Sequence, residues 1–449
     1  MLTNGKSLPK ILFLPLFLTL AAFVQGRQLN SNAKTSSTQP PPKTWIDPDT
    51  GHRIVRVSDE PNSASLYFND NAYTSDGKEM VYSTPDGISV LDLKTFKTRR
   101  VVQGRARIIV AGYKTRNVYF LKSEGPATAG ERSRAAGAER ALYSANIDTG
   151  ATRKVGVLPA RGSIATINAD ETLAAGTYIE GRAGEDYGAR RSQQTHPLDQ
   201  PRNKGEMMER TLAAHLPRVL FTINIQTGER KILLHSTDWI NHLLFSPTDP
   251  TLLMFCHEGP WHKVDRIWTI NTDGSHKTLI HKRTMDMEIA GHEFWAPDGK
   301  TIWYDLQRPR GEDFWLAGYR VDSGERTWYH LQRNEWSIHF NVTEDGTLFC
   351  GDGGDPGQVA HATDGEWIYL FHPELIKNRG IENKDFIHPG VLHSERLVNM
   401  SKHNYRLEPN VRFTADKKWV IFRSNMFGPT YVFAVEVAKA GNPESAAAR

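Results

Sequence analysis

Short apolar or alternating runs, each bounded by Gly, Asp, Asn or Pro, dominate the chain from about residue 44 onward, and helical periodicities are few. Such runs are typical of β-strands, because alternate side chains of a strand point to opposite faces of a sheet. The 36 glycines fit a chain with many tight turns. The sequence therefore predicts an all-β protein.

One unit recurs along the chain. A strand leads into a turn of the Asp-Gly-Lys type (clearest at residues 298–300), a second apolar strand follows, and a third strand ends in a turn of the Thr-Gly-Glu type, as at residues 322–325. Seven copies follow one another about 45 to 50 residues apart, which is the spacing of four-stranded blades around a channel. We therefore expect a seven-bladed β-propeller over residues 44–440.

Two stretches are longer than the repeat requires. Residues 178–217 interrupt the third repeat with a polar, Arg-rich segment, and residues 352–397 lengthen the sixth. Long insertions in a repeat fold usually lie on the binding face, so we expect both of them there. The arginines of the first insertion, including Arg190 and Arg191, either bind carboxylates of a substrate or belong to a solvated loop.

The N-terminal region differs from the repeats. Two lysines precede an apolar run at residues 11–24, which is shorter than the ~20 residues of a membrane-spanning helix, and small residues follow it. We predict a signal peptide at residues 1–26, a disordered Pro-rich linker at 27–43 and a C-terminal tail at 441–449. The mature protein is expected to be periplasmic or secreted, without stable membrane insertion, and to be a monomer or weak oligomer.

Charge and cysteine content narrow the classes of partner. The 55 basic and 51 acidic residues leave a net charge of +4, so we expect no nucleic-acid partner, although a local basic cleft for an acidic ligand is compatible with this balance. Cys256 and Cys350, the only cysteines, fall in strand-like runs of different repeats. We favour two buried thiols, because a propeller closes without disulfides, but the sequence leaves a disulfide open.

Histidines recur at one position of successive repeats. His242, His292 and His339 open the fourth, fifth and sixth repeats. Because the first strand of each blade lines the central channel, equivalent positions should converge near the axis. Convergent imidazoles indicate a metal site, a general base or both. Unrelated histidines at strand ends are the alternative.

The seventh repeat adds further donors in the segment 401–410, where Glu408 and Asn410 lie two residues apart and would share one face of a strand. Oxygen donors beside an imidazole suit manganese, or calcium with less histidine, rather than structural zinc. In the fourth repeat, Arg266 precedes the strand of His292. An arginine beside an imidazole base suits a substrate that carries a carboxylate. Surface polarity in the seventh repeat, and an ion pair of Arg266 with Glu258 or Asp265, are the alternatives.

These residues resemble the oligogalacturonate lyases, polysaccharide lyases built on a seven-bladed β-propeller. The resemblance covers the chain from about residue 43, is strongest from residue 241 onward, and is carried by the stretches 256–260, 264–268, 292–299 and 351–353. It implies that the protein cleaves short α-1,4-linked oligogalacturonates into unsaturated products. It also implies that His292 is the catalytic base, that Arg266 assists, and that His339 holds part of a manganese site.

The last repeat departs from the family pattern, a Gln-x-x-His-x-His run that binds the metal. Tyr405, Glu408 and Asn410 stand at the Gln and the two His positions. By resemblance we expect Glu408 and Asn410, with His403, to complete a site for a divalent ion, most simply Mn²⁺ with Ca²⁺ as the alternative. We expect His257 and Tyr405 to contact the substrate, together with Arg190 and Arg191.

The implied reaction is a β-elimination, which removes the proton on C5 of a uronate and expels the oxygen on C4. The enolate-like intermediate needs cationic help, which a metal ion and Arg266 would supply. A neutral imidazole suits the base at a pH of about 6.5 or above, so His292 should act unprotonated. The alternative is a non-catalytic exported propeller, a scaffold of the TolB-like type, which has no need of the His292, Arg266 and His339 set.

Overall fold

The computed structural model describes residues 40–124, 139–181, 201–358, 362–380 and 383–441. Within these ranges the strands form six hydrogen-bonded sheets, and the eight-stranded one joins two blades through the pairing of β21 (Arg326–His330) with β25 (Ile387–Asn399), so there are seven blades. The prediction of a seven-bladed β-propeller is confirmed. The predicted signal peptide, almost all of the linker, Arg190 and Arg191, and all but the first residue of the predicted tail lie outside the described residues. Over the described part of the chain, no helix has both the length and the apolar character needed to cross a membrane.

The blades follow one another along the chain, except that the first two strands belong to the last blade. Those two strands are β1 (Thr44–Ile46) and β2 (His52–Arg56). Blade 1 comprises β3 (Glu79–Thr84), β4 (Gly87–Asp92) and β5 (Thr98–Gln103), and its inner edge is completed by isolated bridges at Ala64 and Tyr73. Blade 2 comprises β6 (Arg107–Ala111), β7 (Asn117–Glu124), β8 (Glu139–Asn146) and β9 (Thr152–Val157).

Blades 3 to 5 each have four strands. Blade 3 comprises β10 (Ser163–Ile167), β11 (Leu173–Ile179), β12 (Arg218–Asn224) and β13 (Arg230–Ser236). Blade 4 comprises β14 (Trp239–Phe245), β15 (Leu252–Glu258), β16 (Ile267–Asn271) and β17 (Thr278–Leu279). Blade 5 comprises β18 (Ile289–Trp295), β19 (Thr301–Gln307), β20 (Phe314–Arg320) and β21 (Arg326–His330).

The last two blades complete the ring. A short 3-10 helix, Arg333–Glu335, precedes blade 6, which comprises β22 (Phe340–Val342), β23 (Phe349–Gly351), β24 (Trp367–Leu375) and β25 (Ile387–Asn399). Blade 7 comprises β26 (Arg412–Phe413), β27 (Trp419–Ser424) and β28 (Tyr431–Lys439), and β28 pairs antiparallel with the N-terminal β2. This pairing closes the ring with backbone hydrogen bonds. Cys256 and Cys350, in blades 4 and 6, are free and buried, as we favoured.

Apolar side chains fill the spaces between neighbouring blades. Phe245 and Phe255 of blade 4 pack with Leu220 of blade 3, and comparable clusters lie at the other interfaces. A single four-stranded sheet cannot bury both of its faces, so each blade depends on its neighbours for its core. The stacking fixes where the inner strands end, and therefore which side chains meet at the mouth of the channel.

The long sixth repeat does not lie where we expected. Its extra length forms the hairpin of β24 and β25, and the first half of β25 pairs in parallel with β21. Because β21 is the outermost strand of blade 5, this insertion extends the rim of the propeller and not its binding face. Added strand length is stabilised most readily where an open strand edge is available for pairing.

The insertion in blade 3 reaches the channel mouth instead. β11 and β12 pair along their whole length, and the connection between them contains helix α1 (Lys204–Ala213). The side chain of Asn203 accepts a hydrogen bond from the backbone N–H of Glu206, which caps the first turn of α1. Lys204 and Met208 of α1 line the same cleft as the predicted site residues.

Candidate active site

Two histidines occupy β-bulges at equivalent places in neighbouring blades. The pairing of β14 with β15 shifts between Asn241 and Leu244, and that of β18 with β19 shifts between Gly291 and Phe294. His242 and His292 lie in these bulges with φ angles of 45° and 46°. Left-handed backbone is uncommon for residues other than glycine, and bulges beside functional sites commonly redirect a side chain.

His292 is held by a buried carboxylate. Its Nδ1 lies 2.8 Å from Oδ1 of Asp305, and the Asp305 side chain is only 2% exposed. Since an ionised carboxylate can only accept a hydrogen bond, Nδ1 carries a hydrogen, and in the neutral ring Nε2 then bears the lone pair. The edge of the Trp261 ring packs against the imidazole at a centroid distance of 5.7 Å. His292 is thus fixed in the tautomer that a general base requires.

His339 has a similar arrangement in blade 6. Its Nδ1 lies 2.6 Å from Oδ2 of the fully buried Asp352, and its Nε2 lies 3.2 Å from the hydroxyl of Tyr67. A carboxylate oxygen of Glu408 is 4.0 Å from the same Nε2. The rings of His339 and His292 meet edge to face, 5.1 Å apart. The fold therefore brings residues of blades 5, 6 and 7 into one place.

Arg266 lies beneath this group between two buried glutamates. Its Nη1 donates to Glu258 at 2.8 Å and its Nε donates to Glu293 at 3.0 Å. The Arg266 side chain is 4% exposed. Burial alone would raise the pKa of Glu258, but Arg266 and His242 hold it well below its usual value. The same guanidinium keeps the pKa of Glu293 low despite burial. The ion pair that we weighed as an alternative reading of Arg266 is therefore present, and the guanidinium nevertheless lines the cleft.

The cleft above Arg266 has a volume of about 440 Å³. His292, His242, Trp261 and Tyr67 form its walls together with α1. Its charged lining is balanced between cations and carboxylates, contributed by Arg107, Lys204, Arg266, Asp70, Glu258 and Glu408. A cleft of this size suits a small polar ligand.

Two of the predicted metal ligands in the seventh repeat are hydrogen-bonded to other groups of the protein. The Nδ1 of His403 is 2.9 Å from Oγ of Ser424 and its Nε2 is 2.6 Å from the carbonyl of Leu407, so no ring nitrogen is free for a metal. The amide of Asn410 accepts a hydrogen bond from the backbone N–H of Phe68 and donates to the backbone carbonyl of Glu408. We therefore withdraw His403 and Asn410 as ligands, because both side chains hold the backbone of the strand entry.

Two of the predicted substrate contacts also lie away from the cleft. Tyr405 is 2% exposed, and its hydroxyl donates to the carbonyl of Asp352 behind the site. His257 follows the strand alternation onto the face opposite Glu258, where its ring lies 5.0 Å from the ring of Trp268. Neither residue lines the cleft, so Tyr405 and His257 do not contact a ligand bound there.

The donors at His339 fit a hard divalent ion. One imidazole nitrogen and one carboxylate oxygen 4.0 Å apart can share a first-row ion such as manganese, and two protein ligands leave positions for water and for a carboxylate of the substrate. Another group in the described residues, His242, Cys256 and Glu258, has ligand atoms within 4.8 Å of one another. It is a poor cation site, because Arg266 is bonded to Glu258 and burial raises the pKa of the Cys256 thiol well above its usual value.

Several residues of the site were not predicted from the sequence. Asp305 orients His292, and Asp352 orients His339. Tyr67, Lys204 and Arg107 line the cleft. The signal for Asp305 was present, since it is a lone carboxylate within the otherwise apolar run 302–306. Tyr67 and Arg107 carried no such signal, because their role depends only on how the ring closes.

Comparison with known proteins decides the family. The model of the oligogalacturonate lyase family matches residues 203–441, more than half of the chain. The chain belongs to the oligogalacturonate lyase family. This member is 24% identical to the oligogalacturonide lyase of Pectobacterium atrosepticum over 88% of the chain and 95% of the relative. It is 28% identical to the oligogalacturonate lyase of Dickeya dadantii over 49% of the chain and 55% of the relative.

Solved structures agree with the fold of this lyase. An oligogalacturonate lyase in complex with manganese superposes with a TM-score of 0.66 at 21% identity, covering 88% of this chain and 96% of the other. The oligogalacturonate lyase of Vibrio parahaemolyticus gives the same TM-score at 20% identity and the same coverage. The resemblance inferred from the sequence is thereby confirmed, and the protein is an enzyme of the lyase class.

Proposed function

We propose that this enzyme cleaves short oligogalacturonates by β-elimination, with His292 as the base. The observation that carries the proposal is the orientation of His292 by Asp305 in a cleft that also holds Arg266 and Glu408, whose carboxylate lies 4.0 Å from Nε2 of the buried His339. Family membership supports a lyase that acts on oligosaccharides derived from pectin.

The base must remove a hydrogen from carbon, which requires that the neighbouring uronate carboxylate be stabilised as charge develops. The three contacts of Arg266 use three of its five N–H groups, which leaves donors for a substrate carboxylate. Its positive charge is already matched by Glu258 and Glu293, however. Arg266 can therefore orient the carboxylate but provides little net positive charge by itself.

The remaining positive charge comes from elsewhere in the cleft. Lys204 at the start of α1 and Arg107 of blade 2 line opposite parts of the wall and are available to the acidic groups of a short oligomer. We propose that His339 and Glu408 hold a divalent ion, most simply manganese. When bound, this ion would polarise the uronate carboxylate and so acidify the C5 hydrogen. The hydroxyl of Tyr67 lies 3.2 Å from Nε2 of His339, and a bound ion would replace it as the partner of that nitrogen.

The assay for this function is the ultraviolet absorbance of the new C4–C5 double bond. We expect the purified protein, supplied with manganese, to generate this absorbance from digalacturonate and trigalacturonate. Matched oligomers of neutral galactose, which lack the carboxylate, should give no signal. A protein that produces no unsaturated uronate from any oligogalacturonate would refute the proposed function.

The metal site makes a separate prediction. We expect His339→Ala and Glu408→Ala to bind manganese at least about 10-fold more weakly than the wild type, since loss of outer partners of a ligand alone costs 10- to 100-fold. Titration of free Mn²⁺ by electron paramagnetic resonance measures this without an activity assay. Glu408 is 41% exposed, so its removal should not disturb folding.

The control for the metal prediction is His393→Ala. His393 is 62% exposed and pairs with Glu374 in the hairpin of β24 and β25, which extends the rim of the propeller. It should bind manganese like the wild type. Unchanged affinity in both His339→Ala and Glu408→Ala would remove these residues from the metal site.

A further inference from the structure

An elimination needs an acid as well as a base, because the oxygen that leaves C4 departs with an electron pair and must take up a proton. In galacturonate the C5 hydrogen and the C4 oxygen project from opposite faces of the sugar ring. A base on one face therefore leaves the acid to be supplied from the other. His292 accounts for the base and cannot reach both faces at once.

A second imidazole lines the same cleft as His292. His242 lies in the equivalent bulge of the neighbouring blade, with the same left-handed backbone. Its Nε2 is 3.3 Å from Oε2 of Glu258, whose other oxygen accepts from Arg266. The side chain of His242 is 30% exposed and is part of the lining of the cleft.

The two histidines line one cleft together with Arg266. His242 is linked to the guanidinium through Glu258, whereas His292 precedes Glu293, the other glutamate that holds Arg266. A uronate whose carboxylate contacts Arg266 would thus lie in the cleft that both imidazoles line. The carboxylates also differ in position, since Asp305 contacts Nδ1 of His292 and Glu258 contacts Nε2 of His242.

We infer that His242 is the general acid of the elimination, which deepens the proposed function and rests on it. Nε2 of His292 takes the C5 proton, and the C–H electron pair becomes the C4–C5 double bond. The C4–O bond breaks with its electron pair on oxygen, and the imidazolium of His242 transfers its proton to that oxygen as the new hydroxyl. His292 ends protonated and His242 neutral, and exchange with water restores both. The ionised Glu258 stabilises the protonated form of His242 before transfer.

Two other groups in the cleft could in principle donate a proton. The hydroxyl of Tyr67 is engaged with Nε2 of His339. Asp70 lies between the cleft and the central channel, and burial raises its pKa to about 7, an effect that Arg412 opposes. Neither becomes a cation on protonation, so neither gains from a carboxylate partner that stabilises the protonated acid before transfer. His242 alone of the three has that partner, in Glu258.

The test compares two leaving groups. Digalacturonate expels a sugar hydroxyl, which needs a proton, whereas a galacturonate with a dinitrophenyl ether at C4 expels a phenolate, which does not. We expect His242→Asn to lower kcat/KM on digalacturonate by on the order of 10²–10⁴-fold and to leave the dinitrophenyl ether within a few-fold of the wild type. His292→Asn should lose activity on both, because proton removal from C5 is common to both reactions.

Asparagine is used at both positions because it tolerates left-handed backbone better than most residues, so the bulges should be kept. Equal losses of His242→Asn on the two substrates, or no loss on either, would overturn the inference. So would the leaving-group pattern appearing in Tyr67→Phe or Asp70→Asn instead. A wild-type enzyme that forms unsaturated uronate from neither substrate would refute the proposed function itself, a result distinct from an active enzyme indifferent to His242.

Discussion

His292→Ala is expected to lower kcat/KM on digalacturonate by about 10²–10⁴-fold, the contribution typical of a positioned general base. The substitution removes the imidazole that we propose as the base. It also leaves Asp305 buried without its partner, so a loss of activity in this variant would combine loss of the base with local destabilisation. His292→Asn avoids this, since its amide nitrogen can donate to Asp305 from near the position of Nδ1.

We expect both variants of His292 to lose activity and His292→Asn to keep the unfolding temperature of the wild type. His330→Ala is the control, because His330 belongs to the same blade, pairs with Asp313 at its edge and is one-third exposed. It should retain full activity. Near-normal turnover in His292→Asn would show that another group removes the C5 proton.

Arg266→Ala is expected to lower the free energy of unfolding by about 3–5 kcal/mol, the cost of breaking a buried ion pair by removing one partner. It leaves Glu258 and Glu293 buried, 4% and 1% exposed, without their cation. Because the folded-state pKa of each is held low, their stabilising contribution is present above about pH 4.5 and is lost as the pH falls below it. The difference between wild type and variant should therefore be largest above about pH 4.5 and narrow as the pH falls below that value.

Urea unfolding at several pH values measures this effect, and two further variants bracket it. Arg320→Ala removes a 37% exposed partner of Asp322 and should cost no more than about 1 kcal/mol. Combining Arg266→Ala with Glu258→Gln and Glu293→Gln should restore much of the stability, because no unpaired buried charge remains. A loss that is equal in the single and triple variants, and independent of pH, would mean that Arg266 stabilises the blade by packing alone.

The triple variant also separates the role of Arg266 in stability from its role in catalysis. The triple variant should fold but have no lyase activity, because it cannot orient a uronate carboxylate. Stability and activity thus depend on the same guanidinium for different reasons. One is the neutralisation of two buried carboxylates, and the other is the donors that remain for the substrate.

The repeat pattern was sufficient to predict the propeller because each blade repeats the same local signals. The turn at residues 298–300 and the apolar strands beside it fold in nearly the same way in every blade, so the ring follows from counting copies. The family was likewise readable from short stretches around Arg266 and His292, since those motifs combine rare residue types at fixed spacing.

The ligand set was less predictable. His403 and Asn410 are polar residues beside a predicted site, and nothing in their spacing distinguishes a ligand from a strand cap. Only the closed ring shows that His403 is hydrogen-bonded to Ser424 and that Asn410 is hydrogen-bonded to the backbone of Phe68. The same holds for His257, which strand alternation places on the far face of β15.

The sequence by itself determined the strands, the number of blades and the histidines that recur in successive repeats, because these depend on local periodicity and turn chemistry. Only the tertiary structure decided that Asp305 and Asp352 orient those histidines, that Tyr67 joins them, and that the sixth insertion extends the rim. These contacts join residues from different strands or blades, so they depend on bulges and on ring closure, which no local pattern encodes.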